Sequence, residues 1–304
     1  MGIRVSNNMV SKLMVQRTSE ASGKIYKIQQ QIASGNRFQH VSEDPYAGMQ
    51  VLKIKSQLSG LSDWDSSVAN AKNQIEMTYD TLSVYEDNLQ RIYELSVTLA
   101  SDIHSASTRD AIMTEINERT KTIESLANTQ YQGDYIFGGS NTKNQPYTLA
   151  ADGNVTYAGS SADKNWKKQL EVSDGDIVQT NVLGLDVFGD NTSGIFVAMR
   201  ELNEVVNTEP YDVKAVLAVQ EQIQNSITSV VDTLGEISGY ANKLDAVQSI
   251  NEKITTRLTE QKSELYETDI VQAASDLSMA QTSLQATLQI SALMLGGATL
   301  LDYI

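Results

Sequence analysis

Residues 68–103 read VANAKNQIEMTYDTLSVYEDNLQRIYELSVTLASDI, and their spacing decides the fold. Alternating steps of three and four pick out Val68, Ala71, Ile75, Thr78, Leu82, Tyr85, Leu89, Ile92, Ser96, Leu99 and Ile103. Thr78 and Ser96 alone are plainly polar in that series. This is the stripe of a helix with one buried face, held over many more turns than an ordinary domain helix needs. A helix of about 40 residues is about 60 Å long, so it buries its stripe only by pairing lengthwise with another helix.

The same period recurs on both sides. Before it lie Met14, Thr18, Ala21, Ile25, Ile28 and Ile32; after it, Ile112, Ile116, Arg119, Ile123 and Leu126. Further on come Val213, Val216, Gln220, Ile223, Ile227, Val230, Leu234 and Ile237, then Leu244, Val247, Asn251, Ile254, Leu258, Gln261 and Leu265. The last series is Leu277, Gln281, Leu284, Leu288, Ser291 and Leu295. Proline interrupts the chain only at Pro45, Pro146 and Pro210, which leaves room for long helices.

Between the helical stretches the punctuation changes. Nine of the 18 glycines fall between Gly133 and Gly194, among turn-like runs GGSNTKNQP, AADGN, SDGD and FGDNTSG. Strand-like pieces VTYAG, KQLEV and DIVQTNVLGLDVF lie between those turns. The expected fold is mainly α: a long antiparallel helical bundle or coiled coil built from the N- and C-terminal regions, with a small inserted β-rich domain. The expected divisions are terminal helices at 1–43 and 265–304, a helical rod at 44–132 and 195–264, and the insert at 133–194.

Charge sorts the two ends. Residues 1–37 carry Arg4, Lys12, Arg17, Lys24, Lys27 and Arg37 against the single acid Glu20, whereas 263–304 hold Glu264, Glu267, Asp269, Asp276 and Asp302 with no base. Opposite blocks favour pairing and set register, although each exposed pair contributes little. Met14, Ile25, Ile28 and Ile32 are therefore expected to face Leu277, Leu284, Leu288 and Leu295. With Ala21, these residues form a candidate assembly interface, because such weakly charged apolar seams mark association surfaces.

Composition excludes several classes. A net charge of −15 and a pI near 4.5 disfavour nucleic acid and anionic membranes. The absence of cysteine removes disulfides, thiolate metal sites and thiol nucleophiles together. The opening MGIRVSNNMVSKLMVQRTSE lacks the apolar core and cleavage site of a secretory signal, and no apolar run approaches the roughly 20 residues of a membrane span. His40 and His104 stand alone, without a zinc-spaced partner. Residues 157–164 and Phe137-Gly138-Gly139-Ser140 do not make a phosphate cradle. The expectation is a non-enzymatic chain with no catalytic, metal or cofactor site and no membrane insertion.

Ser34-Gly35-Asn36-Arg37 followed by Ser42-Glu43-Asp44-Pro45 is a helix stop and a helix start: Gly35 suits a left-handed C-terminal position, and Asp44-Pro45 suits a capped first turn. This turn resembles the N-terminal turn motif of the flagellin superfamily. Glu267-Thr268-Asp269-Ile270, Ser275-Asp276-Leu277-Ser278 and Leu284-Gln285-Ala286-Thr287-Leu288 are similar to its C-terminal helix. Gly2-Ile3-Arg4-Val5-Ser6, the tract 135–142 and the ending Leu300-Leu301-Asp302-Tyr303-Ile304 look like its hook–filament junction branch.

The resemblance implies an adapter subunit exported by the flagellar type III apparatus with the help of a cytoplasmic chaperone. It also implies a homo-oligomeric ring in the extracellular flagellar axis, next to flagellin and another hook-associated junction protein. Gly35, Arg37, Asp44 and Pro45 carry the turn motif. A bulk filament subunit of the same superfamily is the alternative; a secreted enzyme or adhesin acting through its β insert is a third, from a different class.

Overall fold

The structure, a computed structural model, describes residues 7–101, 105–150, 153–158, 168–173 and 175–300. Gly2–Ser6, Ile103, His104, the run 159–167 and residues 301–304 lie outside the described residues, as does the side chain of Leu295. The elements in order are α1 (Asn7–Ser34), α2 (Pro45–Leu99), α3 (Ala106–Ala127), β1 (Gln130–Tyr131), β2 (Asp134–Tyr135), β3 (Tyr147–Leu149), β4 (Val155–Tyr157), β5 (Gln169–Ser173), β6 (Asp176–Gln179), α4 (Gly184–Val187), α5 (Ile195–Asn207), α6 (Val213–Tyr266) and α7 (Ile270–Leu300). The chain is mainly helical with a small strand-bearing insert, as the periodicity requires.

It divides into two compact units, 1–60 with 253–304 and 61–252. This differs from the three-part division expected from the sequence. The insert is not a packing unit of its own: Ile136, Phe137, Tyr147, Val172, Val178 and Phe188 share one hydrophobic core with α2, α3, α5 and α6. Short strands cannot bury an independent core, so they use the helices as their second layer.

Within 61–252, every described member of the series Val68 to Leu99 is buried. The two polar members satisfy themselves locally: Thr78 Oγ1 donates to the Gln74 carbonyl (2.8 Å) and Ser96 Oγ to that of Tyr93 (2.7 Å). On α3 the buried set is Met113, Ile116, Thr120, Ile123 and Ala127, one position round from the expected stripe. Arg119, expected in the seam, instead stays half-buried at its edge, donating to Asn88 Oδ1 (3.1 Å) and Glu115 Oε1 (3.3 Å). A guanidinium keeps such partners only where it can leave the apolar stripe.

Among the described residues three antiparallel hairpins, β1–β2, β3–β4 and β5–β6, complete the unit. Part of the expected strand DIVQTNVLGLDVF is helical instead: the strand ends at Gln179, and 184–187 form α4. Packing decides this, since Val187 and Phe188 are buried at the centre of the unit. Phe188 lies 4.6 Å from Tyr85, 5.0 Å from Phe137 and 5.6 Å from Tyr147 between ring centroids. The Asn128 amide hooks β3 to the end of α3, giving its Nδ2 hydrogen to Tyr147 O (2.8 Å) and accepting from Tyr147 N (3.0 Å).

Within 1–60 and 253–304, α1 packs along α7. On α1, Met14, Thr18, Ala21, Ile25, Ile28 and Ile32 are half-buried. Among the described side chains of α7 the covered positions are Ala273, Asp276, Leu277, Ala280, Leu284, Thr287 and Ser291. Leu288, expected in that seam, is 49% exposed. Two helices cover one face each, and the covered face of α7 follows Ala280–Leu284–Thr287 rather than Gln281–Leu284–Leu288.

Candidate functional site

Where α1 meets α2 and α6 meets α7, two turns pair. Gly35 ends α1 with φ +69°, its N–H returning to Gln31 O at 2.9 Å. A side chain there would meet open space, so the glycine serves backbone conformation alone. The left-handed step brings Asn36 opposite Glu267 in an isolated antiparallel bridge. Arg37 N–H donates to Tyr266 O (2.7 Å), and Thr268 N–H donates to Gly35 O (2.9 Å).

Each flanking helix is capped at this joint. Asp44 Oδ1 accepts from Ala47 N (3.0 Å), and Pro45 occupies the first position of α2, where no N–H is needed. The other carboxylate oxygen of Asp44 accepts from Arg37 Nη2 (3.3 Å). Asp269 Oδ1 likewise accepts from Val271 N (2.9 Å) and Gln272 N (3.1 Å) to start α7. Gly35, Arg37, Asp44 and Pro45 therefore stand together.

The loop between the helices is held from inside and outside. Phe38 is buried against Ala47, Val51, Leu265 and Tyr266, edge-on to the Tyr266 ring at 5.1 Å, and the Lys55 ammonium lies 4.9 Å from the same ring. Glu43 Oε1 accepts from His40 N (3.1 Å) and Gln39 N (3.2 Å), while Lys27 Nζ approaches Oε2 at 3.5 Å. The His40 backbone bond first, then that of Gln39, holds the Glu43 carboxyl below the usual carboxylate range. Gln31 Nε2 donates to Arg37 O at 2.7 Å, tying α1 back onto the loop.

Phe38 and Tyr266 escaped the sequence reading, and Glu43 entered it only as part of the turn motif. A lone large aromatic inside NRFQHVSEDP was the available signal, because a polar turn has no other use for one. Of the expected interface, Met14, Ala21, Ile25, Ile28, Ile32, Leu277 and Leu284 are half-buried on the α1–α7 pair. Charge sorting acts less directly than expected, since Lys27 pairs with Glu43 and Arg37 with Asp44, not with C-terminal acids. Lys24, Lys27 and Asp276 do line one groove of about 520 Å³ between α1 and α7.

Large apolar side chains remain outside the pair: Val271 is 82% exposed, Leu293 75%, and Met9 and Val15 67% each. Among the described residues no group of acids and histidines could hold a metal, and no helix is long and apolar enough to cross a membrane. The joint and the seam hold the terminal helices together.

Residues 5–142 match the bacterial flagellin N-terminal helical region, a span that contains α1, the joint's first turn, α2 and α3. Over that span the chain is similar to the N-terminal helices of bacterial flagellins. It is 22% identical to flagellar hook-associated protein 3 of Escherichia coli (strain K12) over 94% of this chain and 95% of that one. To the 33 kDa flagellar filament core protein of Treponema phagedenis it is 30% identical, over 42% of this chain and 46% of that one. Among solved structures, hook-associated protein 3 of Legionella pneumophila superposes with a TM-score of 0.62 at 14% identity, covering 71% of this chain and 98% of that one. Bacillus cereus FlgL does so with a TM-score of 0.55 at 24% identity, covering 68% and 97%. The joint and the α1–α7 pair join the two terminal helices in one unit.

Proposed function

We propose that the chain is a structural subunit that joins the flagellar hook to the filament, assembled through α1 and α7 and exported by the flagellar type III apparatus. The observation that carries this reading is the paired-turn joint, which fastens α1 to α7 while large apolar side chains of both helices stay uncovered. Such surface is costly in an isolated subunit and is covered when subunits associate. Likeness to hook-associated protein 3 over nearly the whole of both chains supports the junction role over that of a partial relative. In this reading the chain is no enzyme. Its partners are copies of itself in a ring, flagellin, a second junction protein and a cytoplasmic export chaperone, and its place is the extracellular flagellum.

Deletion of the gene tests it. Hooks without filaments, with flagellin shed into the medium and filaments restored by the intact gene, are expected. Normal motile filaments in the deletion strain would overturn the proposal.

A filament subunit is the second reading, favoured by the higher identity to a filament core protein over 42% of this chain. Polymerisation of the purified chain into long filaments, and an abundance matching that of flagellin, would select it.

A further inference from the structure

Unit 61–252 contains a cleft of about 500 Å³ that shares no residue with the joint or the α1–α7 seam. Its walls come from Asn70 and Gln74 on α2, Tyr131, Gln132 and Tyr135 on the β1–β2 hairpin, and Lys168 before β5. Thr180 and Asn181, both buried, line it as well. The volume lies within the range of small-ligand sites.

The donor set narrows the ligand. Amides and hydroxyls outnumber every other group, and an amide offers a donor pair and an acceptor from one side chain. Gln74 and Tyr135, both half-buried, line the cleft, and among the described residues the Gln74 amide and the Tyr135 hydroxyl make no hydrogen bond within the protein. Asp134 is held ionised by Lys143 first and then by Thr142, with Lys168 nearby, so its carboxylate is already neutralised. One remaining base and no glycine cradle make a poor phosphate site, and a lone carboxylate makes a poor metal site. Half-buried tyrosines add apolar faces beside the polar groups.

The backbone at the rim points the same way. Gln132 sits at φ 52° and Gly133 at φ 84°, the two-residue turn in which asparagine or glycine normally takes the first place. The chain keeps a longer amide there, steadied by a bond from Gln132 Nε2 to Tyr131 Oη at 3.2 Å. A strained residue that lines a cleft is the pattern of a binding position.

We propose that this cleft binds a short neutral saccharide, whose neighbouring hydroxyls meet the amides while its ring C–H faces rest on Tyr131 and Tyr135. Saturation-transfer NMR on the intact chain reads it, with glucose, galactose, mannose, N-acetylglucosamine and maltose as probes up to about 50 mM, a range that covers millimolar sites. At least one sugar should saturate, and Gln74→Leu and Tyr135→Ala should each weaken it about tenfold or more. Asn70→Ala, at an exposed helix position, should weaken it about threefold and keeps the test open should the hairpin variant fail to fold. No saturable signal with any of these sugars overturns the proposal. So does a saturable signal that all three variants leave unchanged. Loss of flagellar assembly in these variants without sugar binding would make the cleft a protein contact, which overturns it too.

Discussion

Arg37 donates its backbone N–H to the carbonyl of Tyr266 at 2.7 Å, and so the α1–α2 turn is bonded to the α6–α7 turn. The return bond from Thr268 to Gly35 O closes an antiparallel bridge between segments from opposite ends of the chain. These are main-chain bonds, so the joint depends on backbone geometry before it depends on any side chain. That is why a glycine stands at its first corner.

Gly35→Ala should cost about 1–2 kcal/mol, the penalty of a Cβ in the left-handed region, because space around the position is open and conformation alone is at stake. Gly35→Asn should cost less. Thermal unfolding of the intact chain, with amide exchange at Arg37 and Thr268, measures both.

Phe38→Ala should remove about 3 kcal/mol, toward the low end for a buried phenylalanine because its cluster is small. Loosening should be confined to 1–60 and 253–304, so proteolysis should begin in the 38–44 loop while the 61–252 unit resists. Equal loosening of both units would count against a local role for Phe38.

Glu43 makes the loop acid-sensitive. Its folded pKa is lowered, so its contribution is complete above the unfolded value of about 4.3 and is lost as pH falls through the folded value. The Gln39 and His40 amide resonances should shift together over that acid range. In Glu43→Gln they should stay flat.

Leu284 and Leu288 should separate the α1–α7 seam from the outer surface. Leu284→Asp, at a half-buried position, should loosen the α1–α7 pair by about 1–2 kcal/mol. Leu288→Asp should leave the isolated chain's stability within about 0.5 kcal/mol, since the side chain is 49% exposed. Both should block incorporation into the flagellum, which counting assembled subunits would show; normal incorporation of Leu288→Asp would remove Leu288 from the assembly surface.

Gln132→Asn should stabilise the chain by about 0.5–1 kcal/mol by relieving a left-handed strain, which chemical denaturation would detect. The same change shortens the amide at the cleft rim and should weaken saccharide binding.

Much was legible because helix periodicity is a local property. The run from Val68 to Leu99 came out residue by residue, and Gly35 and Pro45 marked a stop and a start that the backbone obeys. Arg119 and Leu288 went astray for a shared reason: a three-and-four count names a stripe but not its centre, and the partner helix chooses which neighbouring row is covered. The β insert was legible as turns and short strands, yet not as part of the helical core, because its burial depends on how α2, α3, α5 and α6 pack around it.

The sequence by itself determined the long helices, the turn-rich insert, the two ends of opposite charge and the corner at Gly35, since propensity, period and glycine's conformational freedom act within a few residues. Only the tertiary structure decided that Phe38 packs on Tyr266, that Lys27 meets Glu43 rather than a C-terminal acid, and that 184–187 coil instead of extending. Those outcomes rest on which surfaces meet. A side chain's partner is set by the whole arrangement of helices, not by the residues beside it.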